Sequence, residues 1–159
     1  MTVQSLVGSQ AYSYPSHGQN RFIVIENTVD FLTDFVASLG TAYLTAADSV
    51  KLIKIPKSCF VLQVLVRLER KGTLAANTFT LGDSVASDSY MDTANAIGSG
   101  GTDGTVFQML KDDNNGPDNM LGYFYTDDDY ILLTEATGNC NAKLTVSAIC
   151  CKPFSKVTG

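Results

Sequence analysis

The chain has 159 residues, a net charge of −5 and a composition in which 17% of residues are charged. A single domain of this length buries about two thirds of the surface that its unfolded chain exposes, so the fold needs no disulfide or metal to stabilise it. The acidic balance opposes the phosphate neutralisation that drives binding to nucleic acids. The composition therefore favours one globular domain and argues against a nucleic-acid partner.

The four cysteines, Cys59, Cys140, Cys150 and Cys151, show neither a C-x-x-C motif nor the spacing of a zinc site. In an extended segment Cys150 and Cys151 point to opposite faces, which disfavours a disulfide framework. We expect unbridged, mostly packed thiols and folding in a reducing cytoplasm. The chain also lacks a secretion signal and an apolar run of about 20 residues, so no membrane partner is expected.

Residues 1–20, "MTVQSLVGSQAYSYPSHGQN", have no hydrophobic periodicity and are rich in Ser, Gln and Gly. The sequence predicts an N-terminal arm here, followed by one β-domain over residues 21–159. Tyr12 and Tyr14 could anchor this arm on a neighbouring molecule, because tyrosine offers a large contact area with one polar tip. The alternative is a frayed terminus.

The stretch "KLIKIPKSCFVLQVLVRLE" is interrupted by Pro56. A helix through this proline would cost roughly 3 kcal/mol, so two strands are predicted, joined at Lys57 and Ser58 as a hairpin or a bent strand. The second strand alternates between an apolar face and a face that becomes polar. The predicted core face consists of Phe60, Leu62, Val64, Val66 and Leu68, and the other face of Val61, Gln63, Leu65, Arg67 and Glu69.

Short extended segments recur along the rest of the chain. "RFIVIE" reads as a strand, "TVDFLTDFVASLG" as a strand or a helical turn, and from Lys71 onward turn signals return about every ten residues. The last segment places its apolar residues on one side, namely Ala142, Leu144, Val146, Ala148 and Cys150. These patterns predict about eight to ten strands in a single antiparallel β-sandwich, with a jelly roll as the favoured architecture.

No set of catalytic or metal-binding residues emerges from the motifs. In "KDDNNGPDNM" the glycine is fifth from Asp112 and the twelfth residue is Tyr123, so the calcium-loop pattern fails and a turn is favoured. Asp127 to Asp129 could still join it in space to hold an ion. The only histidine, His17, lies in the predicted arm, where a catalytic device would be poorly held. We therefore predict a protein that is not an enzyme and has no cofactor.

Charge is segregated along the sequence. Residues 51–71 contain six basic residues and one acid, whereas residues 72–142 contain eleven acids and only Lys111 as a base. If the two signs separate in space, opposite patches could meet across an assembly and set its register. The alternative is that folding interleaves them.

Several segments together resemble the capsid decoration, or cement, proteins of tailed bacteriophages. The resemblance spans residues 21–152 and rests on three features: the stretch "DSVKLIKIP", the long alternating strand after it and the segment "LGDSVASDSYMD". It implies a β-sandwich that binds the major capsid protein on the outside of a phage head, commonly as a trimer, and cements neighbouring subunits. No catalytic residues come with it. The four cysteines and the long arm depart from the pattern and leave the docking mode open.

The resemblance thus implies a virion structural protein, and we expect it to be made in the host cytoplasm. Tyr12, Tyr14 and Phe22 are its predicted interface residues, because they are aromatic residues in or beside a polar arm. A tail, fibre or baseplate component that binds a receptor or glycan is the alternative, since jelly rolls also serve as lectins. The chain has no Trp, but its seven tyrosines could form a sugar platform. A glycan-acting enzyme would need a carboxylate pair among Asp112, Asp113 and Asp127 to Asp129.

Overall fold

A computed structural model describes residues 3–5, 11–13, 21–34, 49–74, 78–94, 97–109, 122–137 and 139–152. The regular elements in this part of the chain are all strands, which confirms the predicted all-β sandwich. Their bounds are β1 (Val3–Ser5), β2 (Ala11–Ser13), β3 (Arg21–Asp30), β4 (Ser49–Ile55), β5 (Cys59–Arg70), β6 (Thr78–Gly82), β7 (Met91–Ala94), β8 (Val106–Met109), β9 (Tyr123–Tyr125), β10 (Asp129–Thr137) and β11 (Lys143–Lys152). No helix long and apolar enough to cross a membrane is found among the described residues.

The strands pair as one long hairpin that is rolled into two layers. β3 pairs with β11, β4 with β10, β5 with β8 and β9, and β6 with β7, all antiparallel. Successive pairs fall alternately in a six-stranded sheet, β2-β3-β11-β5 with β8 and β9, and a five-stranded sheet, β1-β4-β10-β6-β7. This nesting is the topology of a jelly roll, the architecture that the turn spacing favoured.

Two short strands lie within residues 1–20, the predicted arm. β1 pairs with β4 in parallel at one edge of the five-stranded sheet, and β2 pairs antiparallel with β3 at one edge of the six-stranded sheet. Backbone pairing covers sheet edges that would otherwise expose unpaired N–H and C=O groups. The boundary at residue 20 and the function of the arm stay predictions.

Of the two alternatives predicted for the link at Pro56, a hairpin or a bent strand, the structure excludes the hairpin. β4 and β5 lie in different sheets, so residues 56–58 carry the chain across the sandwich. Ser58 adopts a left-handed conformation with φ of 56°. Asp128 holds this corner, because its carboxylate accepts a 2.8 Å hydrogen bond from the Lys57 amide and forms an ion pair with Lys54.

A β-bulge changes which side chains of β5 face the core. The pairing with β11 shifts between Val61 and Gln63, so Leu62 is an extra residue in the ladder. After the bulge, Val64, Val66 and Leu68 are buried as predicted. Before the bulge, Val61 is the buried residue, whereas Phe60 is only half-buried, as is Leu62 at the bulge itself. The prediction that Phe60 and Leu62 face the core is therefore wrong.

The core lies between the two sheets and includes a buried amide. All five predicted inward residues of the last segment, from Ala142 to Cys150, are buried. Asn27 is also buried, and its Nδ2 donates a 2.7 Å hydrogen bond to the Leu52 carbonyl, which joins β3 to the opposite sheet. β3 continues through Asp30, so the start of "TVDFLTDFVASLG" belongs to this strand rather than to a separate element.

No disulfide links the four cysteines, as the spacing predicted. Cys59, Cys140 and Cys150 are buried, whereas Cys151 is half-buried on the outer side of β11. A hydrogen bond with the Cys59 thiol and burial raise the pKa of the Cys150 thiol far above its usual range. Buried thiols in this state are unreactive packing groups.

Candidate protein interface

The outer face of the six-stranded sheet has an apolar end. Strand register places Phe22 of β3, Cys151 of β11, Phe60 of β5 and Phe124 of β9 directly opposite one another. We call these four residues the aromatic row. Phe22 and Phe124 expose 47% and 42% of their surface. Val24 and Ile149, paired one step along the strands, are half-buried and complete the apolar end.

The position of Phe60 depends on a glycine. Gly122 precedes β9 with φ of 112°, a conformation that L side chains rarely adopt, and a Cβ on it would lie 2.4 Å from Phe60 Cε1. The Phe60 ring therefore lies against bare backbone. This contact lets Phe60 stay in line with Phe124 and keeps the aromatic row continuous across β5 and β9.

The opposite end of the same face is polar and carries a hydrogen-bonded chain that we call the outer relay. Thr145 is buried and donates a 2.6 Å hydrogen bond to Glu69, so its oxygen accepts from Thr28, 2.9 Å away. Arg67 also donates to Glu69, from Nε at 2.7 Å. The Thr145 hydrogen bond, followed by that from Arg67, lowers the pKa of Glu69.

Further charges line the same polar end. Arg70 donates to Asp30 at 2.6 Å and to the Asn141 carbonyl at 3.2 Å, which links β5 to β3 across β11. Glu26 accepts a hydrogen bond from Ser147, and Lys143 lies beside Glu69. Together with the outer relay, these groups line a shallow depression of about 560 Å³. Most of the side chains that line the depression form hydrogen bonds or ion pairs with one another.

Folding brings parts of the two oppositely charged stretches together. Lys54 of the basic stretch pairs with Asp128 of the acidic stretch at 2.9 Å, and the Lys71 amide donates to Asp103. Arg70 pairs with Asp30, which precedes both stretches. The contact between opposite patches across an assembly stays a prediction.

A second hydrogen-bonded chain, the inner relay, lies inside one end of the sandwich. Tyr125 donates a 2.8 Å hydrogen bond to Asp83, so its oxygen accepts from Tyr90, 2.7 Å away. All three residues are buried. Asp83 also accepts from the amides of Val85 and Ala86, which fixes the turn after β6. Burial raises the pKa of both tyrosines well above the usual range, so both remain donors.

The acidic turn at Asp127 to Asp129 adjoins this relay, and its carboxylates have protein partners. Asp128 binds Lys54 and the Lys57 amide, and these hydrogen bonds lower the pKa of Asp128. Asp129 accepts from Ser84 Oγ and Asp127 from Thr126 Oγ1. No cluster of three or more metal-binding side chains occurs among the described residues, and Asp112 and Asp113 lie outside them.

The interface role of Tyr12, Tyr14 and Phe22 stays a prediction, and the structure describes two of the three residues. Phe22 is exposed in the aromatic row. Tyr12 lies in β2, opposite Ile25 in the register, and Tyr14 is outside the described residues. Sequence reasoning did not place Phe60 and Phe124 in this row, because their neighbours there come from distant strands. The alternation of the second strand even assigned Phe60 to the core.

No protein-family model and no curated protein matches this chain. Its fold is similar to that of a chain in the capsid of Ralstonia phage GP4, with a TM-score of 0.62 and 12% identity over 97% of this chain and 100% of that one. A chain in the capsid asymmetric unit of cyanophage Pam1 gives a TM-score of 0.59 and 17% identity over 89% and 92%. A chain in the acidic stable capsid structure of Helicobacter pylori bacteriophage KHP30 gives 0.56 and 9% over 92% and 95%. These likenesses show a shared fold that spans nearly the whole of each chain.

Proposed function

We propose that this protein is a non-enzymatic structural component of a phage virion that binds the outer surface of the capsid and cements neighbouring subunits of the major capsid protein. The observation that carries the proposal is the fold shared, over 92–100% of their length, with chains in three phage capsid structures. Those chains are close to this one in size. The likeness therefore involves the whole domain rather than a common fragment of a larger protein.

The charge and the side-chain contacts support the exterior role. A net charge of −5 suits the outside of a head better than its DNA-filled interior. The described carboxylates at Asp127 to Asp129 bind lysine, backbone or hydroxyl donors, as structural carboxylates do. A cement protein needs a binding interface and no catalytic site. Because it binds the assembled lattice and not the separate subunits, it stabilises the lattice by mass action.

The test is co-sedimentation of the purified protein with matching capsids that lack it, together with its mass in solution by light scattering. We expect a trimer that binds these capsids at saturable sites and raises their resistance to heat. A protein that ignores the capsids contradicts the proposal. Binding to purified host surface polysaccharide would then favour the tail or fibre alternative.

A further inference from the structure

We propose that the apolar end of the outer face of the six-stranded sheet is the surface that docks on the capsid lattice. This inference rests on the proposed function and assigns it to one face. The apolar end consists of the aromatic row, Phe22, Cys151, Phe60 and Phe124, with Val24 and Ile149 beside it.

The arrangement of the row is the first argument. Its four residues come from four adjacent strands, β3, β11, β5 and β9, so the row crosses the sheet as one continuous strip. With strands about 4.8 Å apart and same-face residues about 6.7 Å apart along a strand, the six residues cover roughly 200 Å². A contiguous apolar strip, unlike single scattered apolar residues, often marks a contact site.

The charge of the face is the second argument. The charged side chains described at its polar end are three acids and three bases: Glu26, Asp30, Glu69, Arg67, Arg70 and Lys143. Most of them already bond to one another or to nearby hydroxyls. The described charges of this polar end sum to zero and give a polyanion nothing to bind, and they complement a protein surface that is apolar with a weakly charged rim.

The size of the patch favours a capsid lattice over a second copy of this chain as the binding partner. A stable interface buries about 800 Å² on each partner, and roughly 200 Å² is well short of this. A dimer held by this patch alone would be weak. Several copies around a symmetry axis can each make a weak contact and still hold a lattice firmly, because their binding is multivalent.

The variant test replaces both exposed aromatics of the row, Phe22→Ser with Phe124→Ser. The matched control is Val85→Ser, because Val85 is 80% exposed in the turn after β6, which belongs to the other sheet. Binding of each protein to capsids that lack it is measured by co-sedimentation across a concentration series. We expect at least a tenfold loss of apparent affinity for the double variant and none for the control.

Cys151 supplies a second measurement that needs no substitution. It lies in the middle of the row, and it is the only one of the four cysteines that is not buried. Docking should slow its alkylation in the wild-type protein at least tenfold, as followed by mass spectrometry of its peptide. An unchanged rate in the bound protein would overturn the inference, even where the double variant fails to fold.

The outcomes distinguish this inference from the function on which it rests. If the wild-type protein does not bind capsids, the proposed function fails and the inference fails with it. If the wild-type protein and the folded double variant bind equally, the function stands and the docking face is wrong. If the double variant loses self-association while it still binds capsids, the face joins copies of the chain and the inference is overturned.

Discussion

In both the inner and the outer relay, one hydroxyl donates to a second hydroxyl, which donates to a carboxylate. The two relays differ in how deeply they are buried. In the inner relay, Tyr90, Tyr125 and Asp83 are all buried. In the outer relay Thr145 is buried, while Thr28 is exposed and the Glu69 side chain is 27% exposed. Water can replace a lost bond at Glu69 but cannot reach Asp83. The same chemistry should therefore stabilise the fold strongly at one site and weakly at the other.

The largest effect is expected for Tyr125→Phe. The change removes the donor to buried Asp83 and the acceptor of Tyr90, so we expect the free energy of unfolding to fall by about 3 kcal/mol. Urea denaturation measures it. Tyr130→Phe is the matched control, because Tyr130 is half-buried and its ring packs under Lys51, which phenylalanine preserves. A loss below about 1 kcal/mol for Tyr125→Phe would contradict the buried relay.

A smaller loss is expected for Tyr90→Phe, because Tyr90 is the first donor of the inner relay. Tyr125 keeps its hydrogen bond to Asp83 in this variant, so about 1 kcal/mol should be lost. The same urea series measures the change. If the cost equals that of Tyr125→Phe, the direction of the hydrogen bonds in the relay is wrong.

In the outer relay, Thr145→Val should cost less than about 1 kcal/mol. The substitution keeps the shape of the side chain, Thr28 can turn to water, and Glu69 retains Arg67. Urea denaturation of this variant beside Tyr125→Phe compares the two relays directly. Equal losses in the free energy of unfolding would show that burial does not determine how strongly these hydrogen bonds to carboxylates stabilise the fold.

The smallest effect is a pH dependence from Glu69. The pKa of Glu69 is lowered in the folded protein. Its contribution to the free energy of unfolding is therefore complete above the unfolded pKa near 4.5, and this contribution is lost as the pH falls through the folded pKa. We expect the stabilities of the wild-type protein and Glu69→Gln to converge as the pH falls below 4.5. In Thr145→Val, NMR titration should show the Glu69 pKa rising toward its usual value. An unmoved pKa would contradict the role of the Thr145 hydroxyl.

Local sequence patterns were enough to predict the class of the fold and several buried faces. Period-two alternation is a property of one extended segment, so the inward side of β11 could be assigned from its own residues. Pro56 excluded a helix for the same local reason. The recurrence of turn signals then made a jelly roll the favoured arrangement, and the absence of disulfides followed from cysteine spacing.

The pairing of the strands and its register could not be predicted from these local patterns. The bulge at Leu62 reverses the facing of β5 on one side, and a residue inserted in a ladder leaves no mark in the alternation itself. Phe22, Phe60 and Phe124 became neighbours because β3, β5 and β9 share one sheet. Such contacts depend on backbone pairing between distant segments, and no local pattern encodes that pairing.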